Sequence, residues 1–181
     1  SNIDSTVVTV NPLVVPTVDP TYALCVNNPS FNLTTTLNAN PVGGIWSGTG
    51  VTNPNFNPAT AGVGTHTLNY TYGTGTCLST KTTQITVYSQ PTLSVNNATI
   101  CNGQSTVLTV SGAGAGGDYT WSPGTALSCT KCSNPIANPT SSIVYSVSGT
   151  TLEGCSNTAS VSITVNPLPV VNAGIDQTLC D

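Results

Sequence analysis

The stretch SVSITVNPL, residues 160–168, contains the pattern that decides the fold of this chain. Val161, Ile163 and Val165 alternate with serine and threonine, so one side of the extended segment is apolar and the other carries hydroxyl groups. Because successive side chains of a β-strand point to opposite faces of its sheet, the alternation predicts a strand with one buried and one solvated face. The Asn-Pro-Leu that follows is a short join, which proline stiffens by fixing φ.

The same stretch returns along the chain at a nearly constant spacing. TVNPL at residues 164–168 matches TVNPL at 9–13, and TVYSQP at 86–91 is a looser copy between them. The copies are about 77 residues apart, and such a fixed period is typical of tandem modules. Cysteines and tryptophans keep the same period, at Cys25, Cys101 and Cys180 and at Trp46 and Trp121.

This period divides the chain into modules. We expect complete modules at residues 11–88 and 89–166, the last strand of a preceding module at 1–10, and the first strand of a following module at 167–181. Cys180 is then expected to be unpaired by truncation, because its partner would belong to that following module.

Within each module, strand patterns alternate with turns rich in glycine, asparagine and proline. Leu68, Tyr70 and Tyr72 alternate with polar residues, and no stretch shows clear helical periodicity. Each module also has the order Cys…Trp…Cys within fewer than 80 residues. These features predict an all-β fold of tandem immunoglobulin-like β-sandwich modules joined by short proline-containing linkers.

The aromatic residues are interpreted as core residues. We expect Trp46, Trp121, Tyr70 and Tyr145 to be buried, with the indole rings packed inside the sandwiches. The alternative is that the tryptophans form an exposed platform that stacks on sugars. His66 lies on the same strand face as Leu68 and Tyr70, so it is expected to be packed or half-buried rather than a ligand.

Composition excludes several classes of function. Only 4% of the residues are charged, the net charge is −4, and the chain has one His, one Glu and two Lys or Arg. The chain has few of the side chains that act as general acids or bases, so no enzyme activity and no cofactor are expected. Two basic residues cannot form the surface that nucleic acid requires, and no run of about 18 apolar residues could insert into a membrane.

The seven cysteines indicate an oxidising, extracellular location. A zinc site at the CxxC of residues 129–132 is a weaker alternative, because a second pair of close Cys or His ligands is missing. We predict three disulfides: Cys25–Cys77, Cys101–Cys155 and the local pair Cys129–Cys132.

Calcium at the module joints is a further, weaker hypothesis. Asp19, Asn97 and Asp176 lie shortly before the cysteines that open each copy, where oxygen ligands could stiffen a joint. One carboxylate per joint is poor for a cation that takes six to eight oxygens, so turn-capping Asp and Asn side chains are the favoured alternative and no metal is expected.

Five stretches resemble a known group of proteins: GIWSGTGV at 44–51, FNPATAGVGTHTL at 56–68, YTWSPG at 119–124, LSCTKCSNP at 127–135 and NAGIDQTLC at 172–180. They are similar to the Ig-like and PKD-like repeats of very large surface proteins of Bacteroidota. Gliding-motility adhesins of the SprB type, exported by the type IX secretion system, are the best-known members.

The resemblance implies a non-catalytic, structural and adhesive segment at the extracellular cell surface, the shaft of a filament. It implies neighbouring repeats of the same chain as partners, with surface polysaccharide or the motility and secretion machinery as further ones. Asp4-Ser5-Thr6 resembles the O-glycosylation acceptor of exported Bacteroidota proteins, so Ser5 is a candidate. The alternatives are a carbohydrate-binding or spacer module of a secreted enzyme and, less favoured, a threonine surface that binds ice or mineral.

Overall fold

The computed structural model describes residues 12–172 and Gly174. The chain divides into two compact units, Ser1–Gln90 and Pro91–Asp181, which we call module 1 and module 2. Module 1 contains the strands β1 (Thr21–Cys25), β2 (Phe31–Asn32), β3 (Ile45–Ser47), β4 (Val51–Thr52), β5 (Asn55–Phe56), β6 (Gly64–Tyr72) and β7 (Ser79–Tyr88) and the helices α1 (Leu33–Thr36) and α2 (Pro58–Ala61). Module 2 contains the strands β8 (Ser94–Val95), β9 (Ala98–Cys101), β10 (Thr106–Val107), β11 (Val110–Ser111), β12 (Asp118–Ser122), β13 (Ile136–Ala137), β14 (Ile143–Thr150) and β15 (Ser156–Asn166).

Each module is built on a four-stranded sheet, and the two sheets have the same order. In module 1 the order is β1-β7-β6-β3, and in module 2 it is β9-β15-β14-β12. In these sheets, β1 runs parallel to β7 and β9 runs parallel to β15, the last strand of each module, while the other pairs are antiparallel. This parallel pair places Cys25 beside Tyr88, and Cys101 beside Asn166.

The second layer differs between the modules. In module 1 it is the three-stranded sheet β2-β5-β4 with α1 and α2, and in module 2 it consists of the two-stranded pairs β8–β11 and β10–β13. The second layer consists of short strands with turns between them, and the long strands of the four-stranded sheets make most of the backbone pairing.

Apolar side chains of both layers meet in one core per module. The alternating residues of β6, β7, β14 and β15 supply one side of each core, so the predicted period of two is confirmed. The core of module 1 contains Leu33, Leu37, Ala39, Trp46, Phe56, Leu68, Tyr70, Ile85 and Val87. The core of module 2 contains Ile100, Leu108, Val110, Trp121, Ala137, Tyr145, Val147, Val161 and Ile163. The predicted all-β fold of tandem Ig-like sandwiches is therefore confirmed.

Two one-turn helices in module 1 were not predicted from periodicity, because four residues are too few to show it. Each begins after an asparagine whose side chain accepts hydrogen bonds from the first free backbone N–H groups. Asn32 accepts from Thr34 at 2.9 Å, and Asn57 accepts from Ala59 at 3.0 Å, with Pro58 at the first helical position. Asn57-Pro58 is a sequence signal that could have identified the second helix.

Candidate functional site

Ionisable side chains are sparse and scattered in both modules. Among residues 12–172 and Gly174, no three His, Cys, Asp or Glu side chains lie close enough to hold a metal ion. His66 is half-buried, as expected, and its Nε2 lies 2.9 Å from the carbonyl oxygen of Gly62, near the ring of Phe56.

The predicted core aromatics of module 1 are buried. Trp46 is 2% exposed and Tyr70 is fully buried, with their ring centroids 4.7 Å apart. The Trp46 Nε1–H donates to the Thr34 hydroxyl at 3.1 Å, and the Tyr70 hydroxyl donates to the Pro41 carbonyl. The Gly44 N–H donates to that same hydroxyl, so every polar end of the aromatic pair is bonded inside the module.

The predicted core aromatics of module 2 are buried in the same way. Trp121 is 2% exposed, and its Nε1–H donates to the Cys132 carbonyl at 2.9 Å. The Tyr145 hydroxyl donates to the Thr125 carbonyl at 2.8 Å, and burial raises the pKa of this phenol above its ordinary value. Because neither tryptophan is accessible, the alternative of a tryptophan platform that stacks on sugars is wrong.

Cys129 and Cys132 form a disulfide, so this predicted pair is confirmed and the zinc alternative is wrong. The disulfide shapes the loop that leaves β12. In that loop the Thr130 carbonyl accepts from the Trp121 N–H at 2.8 Å, and the Cys132 carbonyl accepts from the indole of the same residue. The bridge therefore holds backbone acceptors over the core tryptophan.

The two long-range disulfides are corrected by the structure. Cys77 and Cys101 are free thiols, whereas Cys25 and Cys155 are both disulfide-bonded, so neither Cys25–Cys77 nor Cys101–Cys155 forms.

The parallel pairing of β1 with β7, and of β9 with β15, is the physical reason that these two disulfides do not form. Cys25 lies beside Tyr88, the last residue of β7, whereas Cys77 precedes the first residue of that ten-residue strand. At about 3.3 Å per residue the two positions are roughly 30 Å apart, far beyond the reach of a disulfide. Cys101 and Cys155 are separated in the same way by the eleven residues of β15.

The weak calcium candidates are only partly described. The Asp19 carboxylate accepts from the Asn38 side chain at 2.8 Å, and the Asp19 carbonyl accepts from the Thr83 hydroxyl. Asn97 accepts from the Ser162 N–H at 2.8 Å, which extends the pairing of β9 with β15. The Asp19 carboxylate thus bonds a neighbouring side chain, and the Asn97 side chain caps a strand end. The candidates Asp176, Ser5 and Cys180 lie outside the described residues.

The outer face of each four-stranded sheet is rich in hydroxyl groups. In module 1 this surface, which we call the hydroxyl face, carries six threonines on β6 and β7: Thr65, Thr67, Thr71, Thr80, Thr82 and Thr86. Two cross-strand pairs are hydrogen-bonded, Thr65–Thr86 at 3.2 Å and Thr71–Thr80 at 2.9 Å. In module 2, Ser146 pairs with Ser160 on the corresponding face. Neutral donors and acceptors of this kind suit an uncharged, hydroxylated partner.

Module 1 also has an open cavity of about 540 Å³, lined by both polar and apolar groups, at the end that contains Cys77. Pro12, Val14, Val42 and Tyr72 line it together with that cysteine. Val42 is 71% exposed and Val14 is 42% exposed, so apolar surface at this end is open to solvent. An exposed apolar patch beside a free thiol is a candidate contact surface.

Both helices within the described residues consist of a single turn, and neither is long and apolar enough to cross a membrane.

Comparison with known proteins supports the fold of module 2 at the sequence level. Residues 89–167 match the family model described as "Ig-like domain CHU_C associated". No curated protein sequence matches the chain. The matched segment corresponds to one complete sandwich, module 2, which is therefore similar to an Ig-like domain of this kind.

Solved structures of immunoglobulin domains are also similar to the chain. Sidekick-1 immunoglobulin domains 1–5 share 13% identity over 85% of this chain and 40% of that chain, with a TM-score of 0.33. The insect immune protein hemolin shares 15% identity over 86% of this chain and 46% of its own, with a TM-score of 0.34. DIP-gamma IG1+IG2 shares 10% identity over 84% and 98%, with a TM-score of 0.40. The chain thus spans less than half the length of the first two.

Proposed function

We propose that this chain is a non-catalytic structural and adhesive segment of a large bacterial cell-surface repeat protein. In this proposal, residues 11–88 and 89–166 are two units of an extracellular shaft of the gliding-adhesin type in Bacteroidota, exported by type IX secretion. The observation that carries it is the repetition of one sandwich, with the same sheet order and its own aromatic core, twice in one chain.

The chemistry of the surface supports this role. The exposed groups of the hydroxyl face are neutral, and the described residues contain no cluster that could bind a metal. A shaft needs modules that fold independently, and each module here has a core of nine buried residues. Neighbouring repeats are the proposed partners along the shaft, and surface polysaccharide is the proposed partner of the hydroxyl face.

Antibodies raised against the purified chain test the cellular part of the proposal. On intact cells of the natural source they are expected to label the surface, and their Fab fragments are expected to reduce attachment of the cells to a solid support. Fab fragments of an unrelated specificity are the control. Labelling that appears only after lysis, or unchanged attachment despite surface labelling, would contradict the proposal.

A co-sedimentation experiment separates this proposal from a carbohydrate-binding module of a secreted enzyme. The chain is mixed with insoluble cellulose or chitin, and a triple variant of the hydroxyl face, Thr67→Val, Thr82→Val and Thr86→Val, serves for comparison. We expect the chain to bind the polysaccharide weakly and to elute easily, because in this proposal adhesion requires many repeats together. Tight binding by the single chain, abolished in the variant, would favour the enzyme-associated module.

A further inference from the structure

Four cysteines occupy two kinds of position that recur in both modules. Cys25 ends β1 and Cys101 ends β9, and each opens the same turn. The Asn28 N–H donates to the Cys25 carbonyl at 3.0 Å and the Gln104 N–H donates to the Cys101 carbonyl at 3.0 Å. We call these the start cysteines. The other two, Cys77 and Cys155, lie in the turn before the last strand, and we call them the turn cysteines.

One cysteine of each kind is bonded and one is free. The start cysteine Cys25 and the turn cysteine Cys155 are disulfide-bonded, while the start cysteine Cys101 and the turn cysteine Cys77 are thiols. In neither module is the bonded cysteine joined to the module's other cysteine, because that one is free. The local turn is the same at both start cysteines, so the bonding state is not set by the turn itself.

The two kinds of cysteine lie at opposite ends of a module. Start cysteines adjoin the last residue of the long parallel strand, and turn cysteines precede its first residue. The two free thiols therefore belong to two complementary ends. Such ends fit a head-to-tail contact, in which one end of a molecule meets the other end of the next molecule.

The end of module 1 that carries Cys77 also exposes the apolar side chains of Val14 and Val42. Pro12 and Val14 are exposed there. Their equivalents in module 2 are less exposed, since Pro91 is buried and Leu93 is half-buried. The cavity beside Cys77 thus lies next to apolar side chains that are open to solvent. Its residues are uncharged, so a second neutral surface meets no electrostatic repulsion there.

We propose that Cys101 of one copy of this chain forms a disulfide with Cys77 of a second copy, so that the first copy seats on the cavity beside Cys77 in module 1 of the second. This deepens the proposed function and rests on it, because it makes a covalent joint between modules that act in series. The oxidant is a small disulfide such as oxidised glutathione. One thiolate attacks it and releases one reduced glutathione; the second thiolate then attacks the mixed disulfide and releases another.

Two single variants test the direction of this bond. Cys77→Ser retains only Cys101 of the two thiols, and Cys101→Ser retains only Cys77; Cys180→Ser is included in every protein so that this residue cannot react. With oxidised glutathione, each variant alone is expected to stay monomeric on a non-reducing gel. An equimolar mixture is expected to form dimers and nothing larger, whereas the chain with both thiols forms a ladder.

Mass spectrometry of the mixed dimer is expected to identify a peptide that links Cys77 to Cys101. Dimers of either variant by itself, or a mixture that stays monomeric, would overturn the proposal. Because the variants change residues outside both cores, unchanged tryptophan emission checks that they are folded. Surface labelling of cells does not depend on this bond, so a failed mixture leaves the proposed function to its own test.

The seating on the cavity has a separate test. Val42→Asp places a charge at the cavity, and Val63→Asp makes the same change at a 60% exposed valine of module 1 that does not line it. In the Cys101→Ser protein, Val42→Asp is expected to slow mixed-dimer formation about tenfold, the effect of roughly 1.4 kcal/mol. Val63→Asp is expected to leave the rate unchanged. Equal rates for the two variants would overturn the role of the cavity.

Discussion

The two modules bury the same residue in the same sheet position and support it by different means. Trp46 on β3 and Trp121 on β12 are both 2% exposed. In module 1 the indole N–H is bonded by the Thr34 hydroxyl, which belongs to a helix earlier in the chain. In module 2 it is bonded by the Cys132 carbonyl, in a loop that comes later and is closed by a disulfide.

This difference shows which part of the sandwich is fixed and which is free to vary. The order of the four-stranded sheet is the same in both modules, whereas the layer that covers the tryptophan is a helix with short strands in one and a bridged loop in the other. A buried N–H without an acceptor costs about 1–3 kcal/mol, so the covering layer must supply an acceptor, but its secondary structure can differ.

The largest expected effect comes from removing either tryptophan. Trp46→Ala is expected to lower the free energy of unfolding of module 1 by about 4 kcal/mol, and Trp121→Ala to do the same in module 2. Each module has one tryptophan, so the ring that remains reports the other module in urea titrations. Its transition midpoint is expected to stay in place.

Far-UV circular dichroism of the same samples shows the loss of the altered module. If the free energy of unfolding reported by the remaining tryptophan fell by several kcal/mol, the two modules would not have separate cores.

The comparison also shows how far the sequence determines the structure. The alternation in residues 160–166 and its copies determines which side chains face the cores. Alternate residues of a strand share one face, so the apolar set must face the core and the polar set must face solvent. The repeat and the order Cys…Trp…Cys then identify the sandwich. The burial of Trp46, Trp121, Tyr70 and Tyr145 follows from these patterns.

The local pair Cys129–Cys132 followed from the sequence, but the pairing of the other cysteines did not. The order Cys…Trp…Cys suggests a bridge across the core, as in antibody domains, and says nothing about where each cysteine lies along the sheet. The parallel pairing of β1 with β7 moves Cys25 to the far end from Cys77. Strand direction depends on long-range contacts, which single-sequence periodicity does not contain.

The second prediction breaks the support of Trp121 alone. Replacing both Cys129 and Cys132 by alanine removes a bridge that closes a very short loop, which is expected to cost about 2 kcal/mol of module 2 stability. In a Trp46→Phe background, Trp121 emission reports this loss during urea unfolding. Module 1, which is supported by a helix, provides the internal comparison.

The control for that variant is Cys77→Ala with Cys101→Ala, which removes two free thiols and no bond. In the same buffer, without a reductant, its stability is expected to stay within about 0.5 kcal/mol of the parent chain. If both double variants were equally destabilised, the bridge would have no special role in covering the tryptophan.

The third prediction breaks the support of Trp46. Thr34→Val keeps the shape of the side chain but removes the acceptor of the indole N–H, with an expected cost of about 1.5 kcal/mol in module 1. The matched control is Thr36→Val, the same change on the same helix away from this bond. A Trp121→Phe background lets Trp46 report the unfolding.

Module 2 has no equivalent variant, because its acceptor is the Cys132 backbone carbonyl, which no side-chain substitution removes. Equal losses for Thr34→Val and Thr36→Val would show that helix propensity, and not the indole bond, sets the cost.

The smallest effect concerns Tyr145 in the core of module 2 and depends on pH. Burial raises the pKa of the Tyr145 phenol, so the folded module keeps a proton that the unfolded chain loses above about pH 10. The contribution of this group is therefore fully present below that pH and falls as the pH rises. Tyr145→Phe, which cannot ionise and also loses the bond to the Thr125 carbonyl, is expected to cost about 1 kcal/mol at pH 8.

The gap between the two proteins is expected to narrow when urea unfolding is repeated at pH 10.5 and pH 11, with Trp121 as the reporter. All other tyrosines and disulfides are common to both proteins, so their alkaline effects cancel in the difference. The folded module can shed its proton only by exposing Tyr145 or by holding a phenolate beside the Thr125 carbonyl, and both are unfavourable. If the stability curves of the two proteins stay parallel from pH 8 to pH 11, this phenol ionises equally easily in the folded and the unfolded chain. Burial of its hydroxyl would then contribute nothing to the stability of the module 2 core.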